Sequence, residues 1–132
     1  MLRFSHFFCC CFLALAIETT PAYSESYTGN DVIDQCLSKE VDLTNLCFGF
    51  IIGAIKGIRF GGSVVIATSG VTDPKQGADF LDDVLKFCLP SASTDVQIAS
   101  VVVHYIRNNP SNRHLDAAVL SYLAMTAAFP CE

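Results

Sequence analysis

The chain has 132 residues, of which 52% are hydrophobic and 16% charged, with seven cysteines and a formal net charge of −5. This length accommodates one modest domain and excludes multidomain machinery. Nucleic-acid binding draws its affinity from clustered Lys and Arg, and the 8 basic residues, set against 13 acidic ones, form no such cluster in the sequence. We therefore expect a single domain without a nucleic-acid partner.

The N-terminal segment has the composition of a secretory signal peptide. Arg3 precedes an apolar run over 7–17, and a polar stretch over 18–24 follows. A membrane anchor is the alternative, but about eleven residues at 1.5 Å each cover only about half of the roughly 30 Å hydrocarbon layer. A lipid anchor fits poorly, because the cysteines at 9–11 lie at the start of the apolar run.

This pattern divides the chain into two parts. We predict a cleaved signal peptide over 1–22, with cleavage after Ala22 or Ser24, and a single exported domain over 23–132. After cleavage the domain is expected to have no membrane attachment.

The predicted mature domain keeps four cysteines, and an even number in an exported protein predicts two disulfides with three possible pairings. The midpoint between Cys36 and Cys47 falls in the predicted turn between the first two helices, and that between Cys88 and Cys131 falls in the turn between the last two. Residues equidistant from the turn of an antiparallel helix pair lie level with each other. We therefore predict Cys36 bonded to Cys47 and Cys88 bonded to Cys131. No Cys-x-x-Cys pair occurs, so we expect no metal and no cofactor.

Two helices are predicted in the first half of the domain. Thr28 and Asp31 have capping spacing, and the apolar residues that follow recur with a helical period until an acidic break at 40–42. A central helix is predicted from Thr44. The segment 62–67 is ambiguous between a continuation of this helix and a short strand, and we favour the helix.

Glycines recur every fourth residue of the central helix, at Gly49, Gly53, Gly57 and Gly61. Each costs about 1 kcal/mol in helix propensity relative to Ala, so a compensating close approach is expected. Lys56 and Arg59 interrupt the apolar run, which argues against a transmembrane helix. Two alternatives stay open: close packing of another helix of the same chain, or the seam of a homodimer.

Three more helices are predicted in the second half. A loop over 69–77 precedes a helix that Pro90 closes. Thr94 and Gln97 form a capping box for the fourth helix, which stops at 108–110, and an apolar fifth helix follows. With no segment that requires a sheet, the predicted fold is all-α: a small disulfide-stapled bundle of four to five helices.

Catalytic motifs are lacking in the sequence. His104 and His114 have no second His or Cys at metal-ligand spacing, and we expect both side chains to be exposed to solvent. Asp82 and Asp83 are adjacent in a predicted helix and point about 100° apart, so they cannot share a proton. We expect no enzymatic activity.

Several fragments in fixed order resemble one family over about residues 30–131. They are Cys36, the LCFGFIIG run at 46–53, the FCLP run at 87–90, the VHYI run at 103–106 with Asn109-Pro110, and the terminal AAFPC at 127–131. They resemble the Rap/Tai-type immunity proteins of bacterial type VI secretion. The resemblance implies a periplasmic, all-helical, disulfide-bonded protein, often a dimer, that binds and blocks a peptidoglycan amidase effector. Phe50 and Asn109 depart from it, standing where a tyrosine and a histidine are usual.

Two loops are candidates for contact with such an effector, since the resemblance implies a loop lodged in the amidase cleft. Both are rich in amide and hydroxyl groups, and an ordinary solvated turn is the alternative for each. The candidate residues are Asn108, Asn109, Pro110, Ser111, Asn112 and Arg113 in one loop, and Asp73, Lys75 and Gln76 in the other. The acidic charge would steer the protein toward a basic effector.

Two other functions compete with the inhibitor. A periplasmic stress protein or acid chaperone without a cognate toxin fits the small size, the helices and the export. A hydrolase would require His104 or His114 for activity. The immunity function is the leading interpretation.

Overall fold

The computed structural model describes residues 26–131, so the predicted signal peptide at 1–22 lies outside the described residues. Within 26–131 the chain forms five α-helices and one 3-10 turn, and no strand. The elements are α1 (Gly29–Cys36), α2 (Val41–Thr68), α3 (Pro74–Leu85), α4 (Asp95–Asn108), the 3-10 turn (Pro110–Asn112) and α5 (Ala117–Ala128). The all-α prediction is confirmed.

Local capping chemistry sets the helix starts. The Asp31 carboxylate accepts from the Thr28 backbone N–H at 2.7 Å and from the Thr28 hydroxyl at 2.6 Å. Thr94 accepts from the backbone N–H of Gln97 at 3.2 Å. Both predicted helix starts are confirmed, and each satisfies backbone groups that the first helical turn leaves unpaired. Of the predicted box at Thr94, the bonds within 26–131 include only the half that Thr94 accepts.

Three predicted boundaries are wrong. The central helix begins at Val41, because Glu40 already has the extended backbone of a cap residue. The 69–77 loop is shorter than predicted, because Asp73 caps α3 and Pro74 occupies its first turn. The same helix ends at Leu85, where Lys86 adopts a left-handed conformation with φ 57°. The 62–67 segment is helical, as favoured.

The core lies between α1, α4, α5 and the N-terminal half of α2. Its largest fully buried side chains include Ile51 and Ile55 of α2, Ile106 of α4 and Leu120 of α5. Helix α3 packs mainly on the C-terminal half of α2, where a Cβ on Gly62 would collide with the Leu81 side chain. Helix α3 and the end of α2 thus form a hairpin, and Leu81 and Leu85 of α3 belong to the same buried core.

Both predicted disulfides are confirmed. Cys36 and Cys47 join the end of α1 to α2 with a Cα–Cα distance of 5.3 Å, and Cys88 and Cys131 are 5.0 Å apart. The second bond fastens the segment before α4 to the segment after α5, where the Cys88 N–H also donates to the Phe129 carbonyl at 2.8 Å. The α4–α5 pair is therefore closed at one end by a covalent bond.

The four regularly spaced glycines of α2 do not serve intramolecular packing, so the first of the two alternatives is wrong. A Cβ built on Gly49, Gly53, Gly57 or Gly61 meets nothing within 4 Å, and all four are exposed. Helix α2 buries the opposite side, through Cys47, Ile51 and Ile55. The other helices therefore approach α2 from the side away from these four glycines.

Candidate functional site

The turn over 108–113 is held by two side chains that bond to the end of α4. The Arg113 guanidinium donates to the Ile106 carbonyl at 3.1 Å and to the Arg107 carbonyl at 2.7 Å. The Asn109 amide donates to the Tyr105 carbonyl at 2.8 Å. These bonds satisfy carbonyls that a helix leaves unpaired at its C-terminus. Two of the candidate effector-binding residues are thus engaged in holding the turn.

The start of α1 fixes the other side of the turn. The backbone N–H of Asn30 donates to the Arg113 carbonyl at 3.0 Å, and that of Gly29 donates to the Leu115 carbonyl at 3.1 Å. A Cβ on Gly29 would lie 2.5 Å from Leu120 Cδ1 and 3.0 Å from Arg113 Cα. The turn therefore sits against α1 so closely that only glycine fits there.

Two carboxylates stabilise the same end of the bundle. Hydrogen bonds from Thr28 hold the pKa of the Asp31 carboxyl below its ordinary value. Asp116 caps α5, and its pKa is lowered first by the Ser26 hydroxyl, which donates at 2.6 Å, and then by the N–H groups of the first turn of α5. Both carboxylates are therefore charged partners in the folded protein at neutral pH.

The remaining residues of the turn are available to a partner. Asn108, Pro110 and Ser111 are exposed, and Asn112 is half-buried. The Asn108 amide lies 2.8 Å from Nε2 of the exposed His104. A rigid turn that presents amide and hydroxyl groups can bind a polar partner without a large ordering cost.

A groove that the sequence did not reveal lies beside this turn. It has a volume of about 550 Å³ and runs between α4 and α5. Its lining comprises Gln97, Ser100, Val101, His104, Tyr105, Asn108, Asn109, Ala124, Ala127 and Ala128. The groove exists because α5 carries alanines where it faces the larger side chains of α4. The alanines of α5 are visible in the sequence. That they face large side chains of α4 can be known only once the orientation of the two helices is known.

The second candidate loop is the start of α3. The Asp73 carboxylate accepts from the backbone N–H groups of Lys75 at 2.7 Å and of Gln76 at 3.1 Å, so it acts as a helix cap. Lys75 lies 3.6 Å from Asp79 in a well-exposed ion pair, and Gln76 is exposed. Within residues 26–131 this segment shares no hydrogen bond with the 108–113 turn and lines a different cavity. The two candidate loops are not joined into one site.

Neither histidine has the surroundings of a catalytic or metal-binding group. His104 and His114 are both exposed, and the described part of the chain holds no group of three His, Cys, Asp or Glu side chains placed to bind a metal. What the bundle does present is a fixed polar turn with an apolar groove beside it. This arrangement defines a class: a small disulfide-bonded helical protein built for binding.

Comparison with known families makes the class specific. A family model described as Rap1a immunity proteins matches residues 28–131. The chain belongs to this family, and it is an immunity protein against a secreted effector. Immunity proteins act by binding a toxin and are generally not enzymes. No curated protein and no solved structure matches the chain.

Proposed function

We propose that the protein is a periplasmic immunity protein that binds a type VI secretion peptidoglycan amidase and blocks its active-site cleft. Family membership supports the immunity role. The two disulfides support an oxidising compartment such as the periplasm, because cytosolic thiols are kept reduced. The predicted signal peptide would direct the export of the chain to that compartment.

The observation that carries the choice of surface is the fixed 108–113 turn with its neighbouring groove. Arg113 and Asn109 hold the turn, while Asn108, Pro110 and Ser111 are left exposed. An amidase cleft is polar at its catalytic residues, so exposed amide and hydroxyl groups can pair with it. The groove can then accept an apolar side chain from the rim of the cleft, which supplies the desolvated centre that tight interfaces need.

The test examines the gene beside this one for a peptidoglycan amidase and combines its product with the mature oxidised protein. We expect a stable complex and loss of peptidoglycan hydrolysis at equimolar inhibitor. Ser111→Arg and Ala127→Trp, both at exposed positions, should each weaken binding at least about 10-fold, as expected for a change at the centre of an interface. Lys75→Ala and Gln76→Ala, at the start of α3, serve as matched controls and should retain full inhibition.

Three outcomes would contradict parts of this proposal. Failure to recover any peptidoglycan hydrolase, either with the neighbouring gene product or from periplasmic extracts, counts against the amidase as target. Loss of inhibition in the α3 variants rather than the turn variants would move the contact to the other loop. A mass spectrum of the exported protein that still includes residues 1–22 would contradict the predicted cleavage.

A further inference from the structure

A second cavity lies on the other side of α4 from the groove. It has a volume of about 320 Å³ and lies between α4 and the α1–α2 corner, with Leu37, Phe48 and Val103 in its apolar lining. The groove between α4 and α5 has a volume of about 550 Å³. Ser100 and His104 are exposed and line both cavities. Helix α4 therefore stands between two surface cavities that share one wall.

The shared wall continues to Arg107. Ser100, His104 and Arg107 lie three or four residues apart, so their side chains lie on one side of the helix. We call these three residues the α4 ridge. Arg107 lines the second cavity, and Asn108, the first residue of the 108–113 turn, lines the groove. The ridge and its two cavities are therefore continuous with the turn that carries the proposed effector contact.

The ridge lies in a basic stretch of an acidic protein. Residues 96–115 include two Arg and two His and no Asp or Glu, although the whole chain has 13 acidic against 8 basic side chains. Within the described part of the chain, neither cavity has an Asp or Glu in its lining. The local charge is therefore positive where the overall charge is negative, and such a patch attracts a negatively charged partner.

Arg107 is the charged group of the ridge that the fold itself does not use. The ion pairs within residues 26–131 engage Lys56, Lys75 and Lys86. Arg107 is in none of them, and it is exposed. Two carbonyls at the end of α4 already accept hydrogen bonds from Arg113, so they do not require the Arg107 guanidinium. The five N–H donors of Arg107 are therefore left for a partner.

We infer that the α4 ridge binds an acidic segment of the effector, with a carboxylate on Arg107 and one apolar side chain in each cavity. The inference rests on the proposed function and names the chemistry of the partner segment. A guanidinium binds a carboxylate through two parallel hydrogen bonds, and the Ser100 hydroxyl beside it can donate a further one. Because the rest of the surface is acidic and repels such a segment, the charge also fixes where it binds.

The separation of the two cavities indicates the pattern of the partner segment. A helix with its side chains is about 10–12 Å across. An extended chain rises about 3.3 Å per residue with alternate side chains on one face, so residues four apart are about 13 Å apart on that face. An extended segment that crosses α4 with an apolar-x-acidic-x-apolar pattern thus places both apolar side chains in the cavities and the carboxylate over the ridge.

Other ligands use this surface less fully. A small apolar molecule would fill one cavity and leave Arg107 without a partner. A free anion would pair with Arg107 and leave both apolar cavities empty. Nucleic acid requires several Lys or Arg side chains on one face, and the ridge has a single arginine. A segment that combines apolar side chains with a carboxylate is the ligand that engages all three parts.

The decisive experiment titrates the oxidised mature protein with a blocked peptide of this pattern, acetyl-Leu-Ser-Glu-Ser-Leu-amide, and follows backbone amide shifts by NMR. Ordering so short a peptide opposes binding, so we expect a Kd in the millimolar range, which such titrations measure. The largest shifts should lie along α4 and on both of its sides, near Leu37 and near Ala127. Replacement of either Leu by Ser should raise the Kd at least about 5-fold, because it removes one buried apolar side chain.

Charge reversal tests the ion pair. For the wild-type protein, replacement of the peptide Glu by Lys should raise the Kd at least about 5-fold. Arg107→Glu should invert this preference, so that the Lys peptide binds more tightly than the Glu peptide, a result that misfolding cannot produce. Lys75→Glu, at an exposed position of α3, changes the net charge by the same amount and is the matched control. It should keep the wild-type preference, because α3 lines neither cavity.

Three results would overturn the inference. They are no amide shifts with the Glu peptide, equal Kd values for the Glu and Lys peptides, and an unchanged preference in Arg107→Glu. A peptide with Ser in place of both Leu residues that binds as tightly as the original would replace the inference with a simple anion site.

The proposed function can fail separately from this inference. The titrations contain no effector, so a target other than an amidase leaves the peptide result unchanged. Conversely, full inhibition of the amidase by Arg107→Glu would show that the effector does not use the α4 ridge, while the immunity role and the contact through the 108–113 turn would stand.

Discussion

Around Gly29 the chain is so closely packed that one methyl group does not fit, whereas along Gly49, Gly53 and Gly57 a methyl group would touch nothing. The first glycine is explained within the chain, by Leu120 and the backbone of Arg113. Gly49, Gly53 and Gly57 of α2 have no such neighbour. Regularly spaced glycines on a helix are therefore not enough to predict that another helix packs against them. The structure must first show which side of the helix faces the core.

The largest expected effect is loss of the disulfide that closes the opposite end of the α4–α5 pair from the 108–113 turn. The double variant Cys88→Ser/Cys131→Ser removes a link that spans 43 residues of sequence. In the chain-entropy model such a loop contributes about 4 kcal/mol, a large share of the roughly 5–15 kcal/mol that stabilises a small domain. Urea unfolding should show this loss, and Cys36→Ser/Cys47→Ser should lose about 3 kcal/mol because its loop is shorter. Equal midpoints for wild type and either variant would contradict the assigned role.

The next prediction compares the effect of a Gly→Ala substitution on stability at the two kinds of position. Gly29→Ala forces a Cβ against Leu120 and Arg113 and should destabilise the protein by about 1–3 kcal/mol, as overpacking does. Gly57→Ala meets nothing within 4 Å and should stabilise the monomer by up to about 1 kcal/mol through helix propensity. Chemical unfolding at low protein concentration measures both. The same sign for both changes would show that the contrast between the two regions is wrong.

Sequence reasoning succeeds here where the signal is local or covalent. The caps at Thr28 and Thr94 depend on residues three apart, and both are present. The disulfide pairing followed from the distance of each cysteine to a turn, because an antiparallel helix pair places equidistant residues level. These constraints need no knowledge of how the helices are arranged in space.

Sequence reasoning fails where the answer depends on which helices face each other. The spacing of the α2 glycines is visible in sequence, but the side that the core occupies is not, so the sequence could not exclude intramolecular packing at these glycines. The groove beside the 108–113 turn depends on alanines of α5 lying opposite Tyr105 of α4, which is a tertiary relation. The roles of Arg113 and Asn109 in holding the turn were likewise hidden, because their acceptors are backbone carbonyls.

A smaller effect concerns how the 108–113 turn is held. Arg113→Lys keeps the charge but cannot reproduce two donors in a fixed fork, so the carbonyls of Ile106 and Arg107 lose a partner. We expect a loss of about 1–2 kcal/mol in the free energy of unfolding and faster amide exchange at the end of α4. Arg107→Lys, at an exposed position, is the matched control. An unchanged exchange rate in Arg113→Lys would mean that the turn is held by its backbone contacts alone.

The smallest effect is the dependence of this same end on pH. The folded pKa of Asp31 is lowered by its bonds from Thr28. Its contribution to stability is therefore present above the ordinary Asp pKa of 3.8 and is lost as pH falls through the lowered value. The melting temperature of Asp31→Asn should lie below that of wild type at neutral pH, and the gap should close between about pH 5 and pH 2. Asp34→Asn, which changes an exposed carboxylate on the same helix, should show a smaller gap at neutral pH. A gap for Asp31→Asn that stays constant down to the acid end of the range would show that the lost hydrogen-bond geometry, rather than the charge of Asp31, determines the effect.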